Sequence, residues 1–360
     1  MRCIASHDGT ALVWLGSRSA IGDRKGFVIE DEMVFDRRAS STLLEALGPA
    51  GVLAPLMTRR NGDPFRFDVQ LRRDQKGTRS WASLYVGLTT ILSVDEAAGS
   101  FKLRAHRTHQ AAGEFPAAWS QWHSGNVLAA SWPAVEEYLN KAEAAVPSRH
   151  VDAEGEVHSA LCSATSDDYF VIQREASIAF RDQPTKDRIC DALTAPIYAA
   201  IDVASVGQPW WPGVRDHGKH QRLGTSPDIL AVDTSGRLLA IEAKPANALK
   251  GIVWGPAQVL LYAHLFATLL AAVTTAAHLL GEMLDQRVKL GLTHTGAPCL
   301  GAAPIVVPVL AIGHGTPSAV ARERMSSVAK ALEQVDSPPG VAPLEVWSLD
   351  RMGRCQERWA

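Results

Sequence analysis

Residues Pro227–Pro245 read PDILAVDTSGRLLAIEAKP, and the rest of the chain can be arranged around this stretch. Two apolar runs, Ile229–Val232 and Leu238–Ile241, flank the turn-forming residues Asp233–Gly236. Two such runs joined by a short polar turn predict a β-hairpin.

The charged residues of this hairpin lie at the ends of its apolar strands. Asp228 opens the first strand, and Glu242 and Lys244 close the second. Side chains alternate between the faces of a strand, so Glu242 and Lys244 point the same way, and pairing of the strands places Asp228 next to them. Charged groups are costly to bury without a partner. A divalent cation would be such a partner, so the hairpin predicts a metal site.

Composition limits the classes of protein that remain. The chain has 360 residues, 46% of them hydrophobic and 21% charged, as expected for a soluble globular protein of one large or two ordinary domains. The formal net charge of -2 gives no global basic field, so any nucleic-acid surface has to be local. The five cysteines are widely separated and include no CxxC pair, which argues against a disulfide framework and a zinc knuckle and favours a reducing cytoplasm.

One uncharged segment could form either a buried helix or a membrane span. Gly255–Gly281 contains no Asp, Glu, Lys or Arg and is long enough to cross a bilayer. It also carries Gln258, Tyr262 and two histidines, and it is rich in alanine. We interpret it as a buried helix of a soluble α/β domain, with a membrane span as the alternative. The first residues lack the apolar core of a signal peptide, so a cytoplasmic location is expected.

The order of elements predicts three parts. Residues 1–128 read as a β-rich N-terminal domain of unknown role, 129–150 as a linker helix, and 151–360 as the domain that contains the hairpin. A basic cluster in the first part is interpreted as a solvated loop rather than a nucleic-acid contact. The cluster comprises Arg72, Arg73, Lys76 and Arg79.

From residue 151 the pattern is helix, three strands, helix, strand. A helix is predicted over Ala153–Ala164, a strand over Tyr169–Phe180, a long apolar helix from about Pro256, and a buried strand over Pro304–Gly313. A strand–helix–strand unit implies a mixed sheet with helices on its faces. The fold class is therefore α/β for this domain, and α+β overall with the β-rich N-terminal domain in front.

This order of elements, together with the PD and EAK residues, resembles the PD-(D/E)xK nuclease superfamily. The residues that carry the resemblance are Pro227, Asp228, Glu242, Ala243 and Lys244. The resemblance implies a restriction-endonuclease-like fold over about 150–315. It also implies that Asp228 and Glu242 bind Mg²⁺, with Mn²⁺ as an alternative, and that Lys244 orients or activates the attacking water.

A second motif on the apolar helix adds to the resemblance. Gln258 and Tyr262 have the spacing Q-x-x-x-Y, which places both side chains on one face of a helix. The motif resembles that of RecB-like and lambda-exonuclease-like members, in which this helix positions DNA near the metals. The alternative is that Gln258 caps its helix and Tyr262 belongs to the core.

The family often adds an acid from the first helix, or a histidine in RecB-like members. Glu156 is our choice for this third catalytic and metal-binding residue. His158, Glu154 and Glu175 are also available.

The loop before the catalytic strand interleaves basic and aromatic residues. Trp210 and Trp211 lie in it, and so do Lys219 and Arg222, which we expect to contact nucleic acid. The alternative is that the tryptophans attach the loop to the core.

The sequence thus predicts a magnesium-dependent nuclease that hydrolyses phosphodiester bonds in DNA, in preference to RNA, with phage defence or DNA repair as its setting. The alternative is a non-catalytic subunit that uses a nuclease fold for binding or as a scaffold in a larger complex. The N-terminal domain is expected to serve recognition, regulation, contact with a partner protein or homo-oligomerisation, and no membrane partner is expected.

Overall fold

The computed structural model describes residues 32–74, 77–105, 115–151, 153–163, 167–207, 215–216, 219–220 and 223–359. Over these ranges the chain forms one antiparallel sheet, one mixed sheet and two short two-stranded pairs. The strands are β1 (Met33–Val34), β2 (Phe67–Arg73), β3 (Ser80–Val86), β4 (Thr89–Ala97), β5 (Ser100–Arg104), β6 (His123–Ser124), β7 (Tyr169–Arg174), β8 (Ala179–Phe180), β9 (Arg215–Asp216), β10 (Lys219–His220), β11 (Ile229–Asp233), β12 (Leu238–Pro245), β13 (Val306–Gly313), β14 (Glu345–Leu349) and β15 (Cys355–Trp359).

Helices cover both larger sheets. They are α1 (Ser41–Leu47), α2 (Ala54–Gly62), α3 (Gly125–Ala144), α4 (Ser148–Val151), α5 (Glu154–Cys162), α6 (Gln183–Ala204), α7 (Leu249–Ala272), α8 (Ala276–Lys289) and α9 (Ala319–Leu332), with a 3₁₀ turn at Ala117–Ser120.

The antiparallel sheet belongs to the N-terminal part of the chain and has the order β2-β3-β4-β5-β6. Val69, Leu84 and Val94 from its strands form a hydrophobic core with residues of α1, α2 and α3. The described residues of this part therefore combine a five-stranded sheet with helices α1 and α2. The helix predicted at 129–150 begins earlier, at Gly125, and ends at Ala144.

The mixed sheet has the order β15-β14-β13-β12-β11-β7. Strands β12, β13 and β14 run parallel, and the other neighbours in this sheet pair antiparallel. The Pro227–Pro245 stretch provides the central strand β12 and its neighbour β11, joined by the predicted turn. The mixed α/β class is thereby confirmed.

Helix α7 packs against the centre of the mixed sheet. It is long and apolar enough to cross a bilayer, yet 89% of its most apolar window is buried inside the fold, as in a soluble protein. Gly255 allows the close approach, because a Cβ there would lie 2.5 Å from Leu310. The predicted start near Pro256 is wrong: the helix begins at Leu249 and keeps the proline inside. A proline removes one helix hydrogen bond, which packing on the sheet can offset.

Three contacts cross the predicted domain boundary. Strand β1 pairs with β8, and Met33 and Phe35 lie in the core beneath α7. In the other direction, Leu292 packs in the core of the N-terminal sheet.

A buried polar seam also joins the two sheets. Arg174 of β7 is completely buried, donates to the Gly87 carbonyl at 2.8 Å and lies 3.8 Å from the Asp68 carboxylate. Gln70 of β2 accepts from the Arg174 backbone N–H at 3.0 Å. Arg287 of α8, also buried, approaches the Gln70 side chain at 3.5 Å.

Candidate active site

The structure brings Asp228, Glu242 and Lys244 together at one edge of the mixed sheet. Asp228 Oδ2 accepts a hydrogen bond from the Ala243 N–H at 2.9 Å. Lys244 Nζ lies 2.8 Å from Glu242 Oε1. This convergence follows from the hairpin register, in which Ile229 faces Ile241, so that the flanking charged residues are neighbours.

The electrostatics of the trio are unequal. Burial opposes the charge of Asp228, but His158, Lys244 and the Ala243 N–H favour it and hold its pKa below the ordinary value. Burial and the Asp228 charge raise the pKa of Glu242, and Lys244 offsets this only in part. Burial also opposes the charge of Lys244, yet the two carboxylates raise its pKa. An added cation would offset the repulsion between the carboxylates.

Tyr262 fixes the second oxygen of Glu242. Its hydroxyl donates to Glu242 Oε2 at 3.1 Å, and its ring is buried. Burial and the charges of Glu242 and Asp228 raise its pKa, while the nearby Gln258 side chain lowers it. Gln258 lies well inside α7 and cannot cap it. Tyr262 therefore belongs to the core and also touches the site.

Helix α5 supplies two further neighbours. His158 is 4% exposed, and its Nε2 lies 3.5 Å from Asp228 Oδ2. Neither ring nitrogen has a hydrogen-bond partner within the part of the chain that the structure describes. Glu154, one helical turn earlier, places Oε1 3.4 Å from Lys244 Nζ. The i,i+4 spacing of Glu154 and His158 is the sequence signal that could have found this face.

Glu156, our choice for the third acid, lies elsewhere. Its carboxylate pairs with His314 Nδ1 at 2.6 Å, and both residues line a separate cavity of about 560 Å³. Two residues along a helix correspond to about 200° of rotation, so Glu156 faces away from Glu154 and His158. The geometry thus favours those two neighbours over Glu156.

Glu175 is adjacent to the site through its backbone. Its N–H donates to the Asp228 carbonyl at 2.8 Å. Its carboxylate turns toward the N-terminal sheet, where Oε2 accepts from the Tyr85 hydroxyl at 3.1 Å and from Arg72 Nη2 at 3.3 Å. Arg72 is thus buried in a contact with the mixed sheet, and the interpretation of its cluster as a solvated loop is wrong for this residue.

The predicted nucleic-acid loop lies largely outside the described residues. Lys219 is in β10, which pairs with β9, but its side chain is not described. Arg222, Trp210 and Trp211 lie outside the described ranges. The expected contacts of Lys219 and Arg222 with nucleic acid stay predictions.

The donors present fit a hard cation in part. Asp228 and Glu242 are the carboxylates that Mg²⁺ prefers, and His158 is a buried donor without a hydrogen bond. Within the described ranges, no three His, Cys, Asp or Glu side chains already form a metal-binding group. Mg²⁺ usually keeps several waters and takes one or two protein carboxylates together with substrate phosphates, and Asp228 and Glu242 are two such carboxylates on neighbouring strands.

Comparison of the chain with protein-family models, curated proteins and solved structures gave no match.

Proposed function

We propose that this chain is a magnesium-dependent nuclease with a restriction-endonuclease-like catalytic domain, acting on DNA in preference to RNA. The observation that carries the proposal is the convergence of Asp228, Glu242 and Lys244 at the ends of β11 and β12, beside the buried imidazole of His158. Buried charged groups that shift one another's pKa values, as Asp228, Glu242 and Lys244 do, are concentrated at functional sites.

The proposed roles follow from the contacts. Asp228 and Glu242 would hold the cation, with His158 as a third donor, and the cation would polarise the phosphate and lower the pKa of a water. The Ala243 N–H orients Asp228, and the Tyr262 hydroxyl orients Glu242. These hydrogen bonds fix the carboxylates before substrate arrives.

Lys244 is the proposed positive group for the reacting phosphate. Its ammonium is mostly buried and stays charged at neutral pH, because the two carboxylates raise its pKa. A fixed positive charge in a partly buried site stabilises negative charge that develops on phosphate oxygens. Glu154, on the exposed side of Lys244, also contacts the ammonium and helps to hold it in place.

The test is hydrolysis of linear and circular duplex DNA, single-stranded DNA and RNA, with Mg²⁺ and with EDTA. We expect cleavage only with the metal, and loss of at least about a hundredfold in rate for Lys244→Met and Asp228→Asn. Glu345→Gln is the matched control, since Glu345 pairs with Arg237 near the turn end of the hairpin. Full activity in both site variants would rule out the proposal.

A second candidate is a non-catalytic nuclease-fold subunit that binds nucleic acid or serves as a scaffold. It is favoured by the absence, among the described residues, of a preformed group of three metal donors. Titration calorimetry with Mn²⁺ separates the two: a catalytic centre binds the metal and loses binding in Glu242→Ala. A scaffold would give no heat of metal binding in either protein.

A further inference from the structure

One anion-binding pair lies where the N-terminal sheet meets the start of the catalytic strand. Arg72 and the Tyr85 hydroxyl both donate to the same oxygen, Oε2 of Glu175, at 3.3 and 3.1 Å. Nη1 of Arg72 is fixed by the Arg174 carbonyl at 2.5 Å. A guanidinium and a hydroxyl aimed at one oxygen form a seat for an oxyanion.

Arg72 and Tyr85, the two donors of this seat, are buried, whereas the Glu175 carboxylate that they bind is exposed. The Arg72 side chain is 10% exposed and that of Glu175 is 49% exposed. Tyr85 is buried. The Glu175 carboxylate is already half hydrated, so its release into water costs less than the release of a fully buried group. Another anion can therefore replace it without disturbing the core.

Positive charge accumulates around Arg72. Burial lowers the pKa of Arg37, and the charge of Arg72 lowers it further. Burial also lowers the pKa of Arg287, where Asp68 acts in the opposite direction and Arg60 and Arg72 add to the lowering. Several guanidinium groups thus lie close to Arg72, and Glu175 is the anion that Arg72 itself contacts.

Glu175 holds its position at a conformational cost. Its φ of 51° lies in the left-handed region, which is unfavourable for a residue other than glycine. Its backbone N–H is bonded to the Asp228 carbonyl, so the seat adjoins the proposed catalytic strand. Strained residues of this kind are common at ligand sites.

We propose that Arg72 and Tyr85 bind a phosphate of the substrate strand, and that Glu175 occupies their site when nucleic acid is absent. The inference rests on the proposed nuclease function. It adds a role for the N-terminal sheet, which binds the nucleic-acid strand that the mixed sheet cleaves. The ligand class is a phosphodiester of a nucleic-acid strand.

The test measures binding in the Lys244→Met background, so that the strand stays intact. Fluorescence anisotropy with a labelled single-stranded and a labelled duplex oligonucleotide gives Kd over a range of salt concentrations. Arg72→Gln should weaken binding by roughly tenfold or more and reduce the slope of log Kd against log salt by about one. Glu175→Gln should tighten binding by about threefold, because the competing carboxylate is removed.

Glu175→Gln keeps the inference testable if Arg72→Gln fails to fold, since the Glu175 side chain is half exposed. Glu345→Gln is the control for simple loss of a negative charge, because Glu345 also pairs with an arginine but lies near the turn end of the hairpin. Equal tightening by both glutamine variants would overturn the inference, as would an unchanged Kd and salt slope in both seat variants. No binding of either oligonucleotide by the background protein would instead reject the nuclease proposal, and the inference with it.

Discussion

Gly251, in the first turn of α7, leaves space that the Lys244 side chain occupies. A Cβ at this position would lie 2.8 Å from Lys244 Cδ, closer than real contacts allow. The position of the Lys244 side chain, and so of its ammonium group, therefore depends on the absence of a side chain at Gly251. Glycine inside a helix costs about 1 kcal/mol of stability relative to alanine. Accommodation of the Lys244 side chain is a reason for glycine at this position.

Gly251→Ala should lower the cleavage rate by roughly ten- to a hundredfold, because a small displacement of a reacting group is costly. The melting temperature should stay the same or rise, since alanine favours the helix. Gly281→Ala is the matched control, being a helical glycine of α8 whose added Cβ would meet nothing within 4 Å. Equal rates for the two variants would contradict the proposed role of Lys244.

His158→Asn should weaken Mn²⁺ binding by roughly tenfold or more, because it removes a buried donor beside Asp228. Calorimetric titration of the metal gives the dissociation constant directly. His278→Asn serves as the control, since His278 is an exposed histidine of α8. An unchanged Mn²⁺ affinity for His158→Asn would place this imidazole outside the metal site.

At the scale of residues, the sequence predicted the convergence of Asp228, Glu242 and Lys244, because hairpin register and strand alternation are local rules. It did not predict which residue of α5 turns toward them. Glu154, Glu156 and His158 lie on one short helix, and its rotation is set by packing against the sheet. That packing depends on residues far away in sequence, such as Gly313, which meets Val157.

At the scale of elements, helix α7 carries a titratable histidine, His264, on its buried surface. His264 is 2% exposed, its Nε2 lies 3.2 Å from Ser337 Oγ, and burial lowers its pKa to about 4. A histidine in an unfolded chain titrates near 6.5. The unfolded state therefore binds more protons between these two values.

This difference in proton binding between the folded and unfolded states determines how the free energy of unfolding changes with pH. Stability that depends on neutral His264 is fully present above about pH 6.5 and is lost as the pH falls toward 4, by at most about 1.4 kcal/mol per pH unit. Urea unfolding between pH 7 and 4.5 measures the slope. His264→Gln should reduce the slope, whereas His278→Gln should leave it unchanged, and equal slopes for all three proteins would contradict the prediction.

Element types were more predictable than element boundaries. The hairpin and the helix over Glu154–Cys162 agree with the sequence patterns. Helix α7 begins before the predicted start near Pro256, because its first turns are stabilised by packing on the sheet, which the sequence pattern does not show. The single strand expected over Tyr169–Phe180 is divided into β7 and β8, with Glu175 in the left-handed region between them.

At the scale of the whole molecule, the two sheets share a polar seam. Arg174 and Arg287 come from the later part of the chain, and Asp68 and Gln70 come from the N-terminal sheet. Separating the sheets would leave buried arginines and a carboxylate without these partners, and broken buried ion pairs cost several kcal/mol. Sequence patterns did not reveal the seam, because its side chains come from three elements that are far apart in the sequence.

The chain should therefore unfold in one cooperative transition in differential scanning calorimetry, with equal calorimetric and van't Hoff enthalpies. Arg174→Met should lower the midpoint, because it leaves the Asp68 carboxylate buried without its arginine. Arg358→Met is the control, since Arg358 is 44% exposed on the edge strand β15. Two resolved transitions in the unaltered protein would show that the parts unfold separately.

The pairing of β1 with β8 also has a consequence for the order of folding. Met33 of β1 pairs with Phe180 of β8, so β1 cannot form its strand pair until roughly 150 further residues have been synthesised. Until then Met33 and Phe35 expose apolar surface that ends in the core beneath α7. Contacts so distant in sequence slow folding. The N-terminal sheet, whose strands pair with their immediate neighbours, should form first and offer the surface on which the mixed sheet is completed.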